Sequence, residues 1–205
     1  MKNEERALKA LDCLYSSGYH VVCSQNDKEE NRIEGFFMSD CGVLFIRNLS
    51  FNKISGFRLL LDAIRQINYD MLGDNFLLIT SIAYGQFKYQ KRIELPGIDK
   101  SPVFGNAYIS AYLDTERDNP KIQPGQCRIV TENLPESIIG AIEQSQPTNP
   151  FDLIKTRGTD RNHFYFYWMV DESVQIDRFE KKYRDAYNLK FAGMLQALKN
   201  AVHPL

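Results

Sequence analysis

The chain has 205 residues, 43% hydrophobic and 25% charged, with 25 Lys+Arg against 26 Asp+Glu for a net charge of −1. That size and apolar content suit one domain with its own core, or a domain with a helical appendage, and the near-neutral balance leaves no basic footprint for nucleic acid. No apolar run reaches membrane-span length, the start MKNEERALK is too polar for a signal peptide, and the four cysteines show no C-x-x-C spacing, so the expectation is a cytoplasmic protein with reduced thiols.

Ala7, Leu8, Leu11, Leu14 and Tyr15 share one helical face, which predicts a helix over 3–17 stopped by Gly18. Tyr19 to Cys23 is β-branched and aromatic and reads as a strand, followed by a charged loop over 24–31. Two apolar runs, Ile33 to Met38 and Cys41 to Arg47, predict a hairpin with Asp40 exposed at its turn. Ile54, Phe57, Leu60, Leu61, Ile64 and Ile67 recur at helical spacing behind an N-cap at Asn52, and Gly73-Asp74-Asn75 ends that helix. Phe76 to Tyr84 is nearly continuous apolar sequence, the pattern of a central strand, and bends at Gly85.

Gly105-Asn106 opens the next helix, whose apolar side is expected to hold Tyr108, Ala111 and Tyr112. A glycine at such an entrance can aim backbone N–H groups at an anion. After a short strand ending at Val130, Leu134 to Ile142 is a helix entered through Pro135, and 144–162 is a polar loop. His163 to Val170 is a last strand. A long helix from Val174 to Asn200, capped by Asp171 or Ser173, carries a stripe of Phe179, Tyr183, Tyr187, Phe191, Leu195 and Leu198. The element order is α+β, with one antiparallel or mixed sheet covered by helices on one face. The chain divides into an α+β domain over 1–171 and a C-terminal helical extension over 172–205. Its stripe either packs back on the domain or meets a partner, and packing back is favoured because such stripes are normally core.

Ile82-Ala83-Tyr84-Gly85, the run Phe104-Gly105-Asn106-Ala107 through Glu116, the closing Gly125 to Val130, and upstream Gly35 to Phe45 occur in an order that resembles a class III nucleotide cyclase domain over about 19–131. The resemblance implies a ferredoxin-like, palm-type sheet, a homodimer and a nucleoside triphosphate as ligand. It also implies two Mg or Mn ions held by two aspartates, the second of which matches Asp40. From the residues alone, a turn aspartate in Ser-Asp-x-Gly is the favoured reading of Asp40 over a metal ligand. The first aspartate has no counterpart, and the family's transition-state Asn and Arg fall on Ile109 and Leu113. Base-reading positions fall on Phe36 and Pro102, which leaves Phe36 or Phe37 either to stack on a base or, as favoured, to serve as hairpin core, and Gly105 and Asn106 to meet the nucleotide. Lys88, Lys91, Arg92 and Lys100 either meet phosphates or form a solvated strand face. The expectation is a cyclase-like domain that keeps the fold with little or no catalysis, binding a nucleotide or dimerising as a sensor. Two alternatives stand beside it. One is an active nucleotidyl cyclase with its missing groups supplied in trans or upstream, and the other is a protein-interaction module.

Overall fold

The computed structural model describes residues 2–26, 32–46, 52–89, 92–95, 98–100, 103–145, 149–187 and 191–202. The first helix, Lys2–Asn26 (α1), runs straight through Gly18 and through the stretch expected as a strand at Tyr19 to Cys23. Leu14, Ser17 and Val21 are buried at helical spacing while Tyr19 and His20 face solvent, so the helical period persists past the glycine. Gly18 is there for close packing: a Cβ at this position would overlap the Phe37 ring. At the end of α1 the Asn26 amide both donates to and accepts from the backbone of Ile33, each at 2.8 Å, and pins the helix to the next element.

That element is the hairpin of Ile33–Met38 (β1) and Cys41–Ile46 (β2), turning at Ser39-Asp40 with Ser39 at φ 55°. Arg47, expected at its end, lies outside the described residues, as does 27–31 of the charged loop. Alternation splits the hairpin's faces. Ile33, Phe37, Leu44 and Ile46 join Leu14 and Val21 of α1 in one apolar cluster, and Phe36 and Phe45 point the other way. Helix Lys53–Gly73 (α2) begins as expected, the Asn52 side chain accepting from the Ser55 amide at 2.9 Å. It is apolar on two sides. Leu59, Ala63, Ile67 and Met71 close the α1–hairpin cluster, whereas Phe57, Leu61, Ile64 and Leu72 enter a second, larger one.

The larger cluster rests on a four-stranded mixed sheet in the order β3-β8-β10-β9, made of Thr80–Ile82 (β3), Cys127–Val130 (β8), Asp160–Phe166 (β10) and Ile154–Arg157 (β9). The strand expected over Phe76 to Tyr84 is therefore short and at the sheet's edge. Phe76 instead caps α2, its amide donating to the Met71 carbonyl at 2.8 Å, and Ile79 is exposed. The loop expected over 144–162 contains a 3-10 turn, Pro150–Leu153, and the whole of β9, an edge strand whose polar IKTR sequence hides it. Between β3 and β8 the chain forms two small ribbons: Lys88–Tyr89 (β4) with Val103–Phe104 (β7), and Arg92–Leu95 (β5) with Ile98–Lys100 (β6). Helix Asn106–Glu116 (α3) follows.

Helices lie against both sheet faces, not one. Ile82, Ile129, Phe164 and Phe166 meet α2 and Glu136–Glu143 (α4), and α3 lies against β3 and β8 on the reverse. The expected long C-terminal helix is two helices, Ile176–Tyr187 (α5) and Phe191–Val202 (α6). Residues at the start of α5 and the end of α6 line a common cavity, so the pair folds back on itself. Phe179, Tyr183, Met194 and Leu198 are buried in the same cluster as the sheet, and the Tyr183 hydroxyl donates to the Pro124 carbonyl at 2.8 Å. The stripe thus packs back, as favoured; the side chains of Tyr187 and Phe191 lie outside the described set. Among the described residues no helix is long and apolar enough to cross a membrane.

Candidate functional site

The residues singled out by sequence fall in two neighbouring places. Phe36 stacks on Tyr89 with ring centroids 4.8 Å apart and an 8° interplanar angle, and Phe45 meets Phe87 at 4.4 Å. These contacts bring the hairpin onto β4, which pairs with β7 immediately before Gly105. Phe37 lies on the opposite face, 5.2 Å from the Tyr15 ring. Asp40 is exposed at the turn, as expected, and Tyr15 secures that turn by donating to the Ser39 carbonyl at 2.9 Å. Asp40 is one carboxylate where Mg or Mn needs about six oxygen ligands. Among the described residues no group of three or more His, Cys, Asp or Glu side chains converges to hold a metal.

Gly105 has φ 128°, and a Cβ there would overlap the Gln86 carbonyl. The Asn106 side chain accepts from the Gln86 amide at 2.6 Å, and the Ala107 amide donates to the Gln86 carbonyl at 3.2 Å. The entrance of α3 is thus wrapped around its own preceding loop, which takes up an amide that an anion would otherwise meet. Lys88 is exposed with its ammonium 5.9 Å from the Phe104 ring centroid. Lys91 and Pro102 lie outside the described residues, as do the side chains of Arg92 and Lys100.

The most concentrated chemistry lies under α3 and was not visible as a motif. Strand register sets Ser81, Arg128 and Tyr165 side by side on the α3 face, with His163 two residues before Tyr165. Arg128 is fully buried and donates to both Asp114 carboxylate oxygens (Nε 3.2 Å, Nη2 2.7 Å), to the Asp114 carbonyl at 2.7 Å and to the Pro120 carbonyl at 2.6 Å. Ser81 donates to Asp114 at 2.8 Å. His163 sits between two carboxylates, Nε2 2.9 Å from Asp114 and Nδ1 2.8 Å from Asp160. Both ring nitrogens donate at once only when both carry protons.

Burial by itself would raise the Asp160 carboxyl, but hydrogen bonds from His163, the Asn162 amide and Tyr165 outweigh it and hold the group below its ordinary value. Burial, then the hydrogen bond to Asp160, push the Tyr165 hydroxyl up. Among the described residues no buried side-chain polar atom lacks a partner. With Arg128 and His163 sealed from solvent, this network cannot reach a substrate; it fastens α3 to the sheet. An arginine in an otherwise apolar strand, Cys-Arg-Ile-Val, was the one signal that could have pointed to it.

Of the side chains expected on the apolar side of α3, Tyr108 and Ala111 are half-buried and Tyr112 is exposed. Ala107 and Asp114 face inward, and Ile109, Tyr112 and Leu113 are 52, 54 and 59% exposed, beside an exposed Phe104. Asp114, spent on Arg128, puts a carboxylate on the inward face, while Ile109, Tyr112 and Leu113 are left outside. No family model matches this chain, and no curated protein or solved structure matches it either.

Proposed function

We propose that this chain is a nucleotide-cyclase-like domain that works without cyclase catalysis, as a module that pairs with a second copy through α3. One observation carries this. Ile109 and Leu113, the positions where the resembled family has its transition-state Asn and Arg, are apolar and exposed, and Tyr112 shares their face of the helix. An arginine meeting transferred phosphoryl charge cannot be replaced by leucine. An exposed apolar patch is instead a contact surface. Ile109, Tyr112 and Leu113 carry no charge, so a two-fold interface that sets this face against itself meets no like-charge repulsion there. Of the stripe on α5 and α6, Phe179, Tyr183 and Leu198 are spent on the core. A palm-type sheet belongs to the same proposal, supported by the β3–α3–β8 unit with its two strands in parallel.

Sedimentation at micromolar concentration tests it. The expected species is a dimer of the 23.7 kDa chain. Ile109→Asn/Leu113→Arg should weaken self-association at least about a hundredfold, since each buried aliphatic side chain is worth roughly 1.5–3 kcal/mol. Incubation with each of the four nucleoside triphosphates and Mn²⁺ should yield no cyclic product. A sharp monomer that does not change with concentration, or robust cyclic nucleotide production lost in Asp40→Ala, sinks the proposal.

A further inference from the structure

Away from α3, a half-open cleft between α5 and α6 offers about 270 Å³. Its apolar floor is Val170, Phe179 and Ala201. Its polar edge is made of donors. Arg178 and Lys182, one helical turn apart on α5, line it and take part in no ion pair among the described residues. Gln175 already spends its carbonyl oxygen on the Asp171 amide at 3.2 Å, and Asn200 spends its own on the Gln196 amide at 2.8 Å. What both amides have left for the cavity is N–H. Among the described residues no carboxylate lines the space, and the nearby Asp171 is turned to Arg65 at 2.8 Å.

We infer that this cleft is a binding site for a small phosphate monoester carried on a compact apolar body. Two cations and two amide donors match the acceptor-only oxygens and near-double charge of a phosphate. The apolar floor takes the attached group, and the volume, at the lower end of ligand sites that start at roughly 300 Å³, limits it to about one ring. The site shares no residue with the α3 surface, so the two proposals stand or fall separately.

Titration with phenyl phosphate, followed by calorimetry and by amide chemical shifts, tests it. Saturable one-site binding is expected at millimolar or lower concentration, with inorganic phosphate alone and phenol alone each weaker by about tenfold or more, because head and body contribute separately. Arg178→Gln/Lys182→Gln should weaken binding at least ~tenfold, the scale of losing hydrogen bonds to a charged group. Both residues are exposed, so the thermal midpoint should stay put. Ala201→Phe, which fills the floor, should abolish phenyl phosphate binding and leave the response to inorganic phosphate. Absence of saturable binding, unchanged affinity in the double variant, or equal affinity for inorganic phosphate overturns the assignment.

Discussion

Replacing Arg128 with methionine keeps most of the side chain's length and deletes its charge. The wild-type guanidinium is wholly buried and makes three hydrogen bonds to Asp114 and one to the Pro120 carbonyl. Without it, the Asp114 carboxylate stays in the interior with only Ser81 and His163. Removing one partner of a buried ion pair costs about 3–5 kcal/mol, because the survivor is left uncompensated. Set against a typical total of about 5–15 kcal/mol, that is roughly a fifth or more of the domain's stability. At about 2–4 °C per kcal/mol for a chain of this size, the thermal midpoint should fall by roughly 6–20 °C. Circular dichroism melts and urea unfolding followed by Trp168, the chain's one tryptophan, read this directly. In Arg128→Met/Asp114→Leu the two effects should fail to add by about 0.5–3 kcal/mol, since the partners touch. A midpoint for Arg128→Met within about 2 °C of wild type, or strict additivity in the double variant, would refute the reasoning.

Two glycines should respond in opposite directions. Gly105→Ala forces a side chain into φ 128° against the Gln86 carbonyl and should cost on the order of 1–3 kcal/mol. Gly140→Ala, in α4 with open space around the new methyl, should stabilise by roughly 0.5–1 kcal/mol; urea midpoints in the reverse order would contradict both assignments. Asp160, with its carboxyl held below the ordinary value of about 3.9, contributes stability that is complete above that value and lost as pH falls through the lower folded one. Asp160→Asn should therefore be less stable than wild type at neutral pH, the gap should narrow as pH falls below the ordinary carboxylate range, and a gap that widens in acid would be incompatible with a depressed carboxyl.

Where one local period governs burial, the chain could be read directly. Helix α2, with its cap at Asn52, and the hairpin around Ser39-Asp40 both emerge from spacing alone. The misreadings have a common physical origin in partners distant along the chain. Gly18 looks like a stop until Phe37, nineteen positions on, is seen pressed against it. Phe76 to Ile79 look like a central strand, but the apolar run is divided between capping α2 and reaching the sheet edge. The long C-terminal stripe was read correctly as core and incorrectly as one helix. The network under α3 joins Ser81, Asp114, Arg128, Asp160 and His163 from three strands and a helix, and no spacing rule in one dimension groups them. The position of Asp40 was legible; its lack of converging acidic neighbours among the described residues was not.

Helix α2 is the wall shared by two cores, with Leu59, Ala63, Ile67 and Met71 on one side and Phe57, Leu61, Ile64 and Leu72 on the other. Either layer can open only by wetting one side of that helix, while the other side stays clamped. Its amide protons are consequently covered from two sides, and exchange at Leu61 to Ile67 should be among the slowest in the chain. The outer layers, α1 with the hairpin and α5 with α6, can breathe independently of each other. A molecule built this way should exchange its amides fastest in those two outer layers.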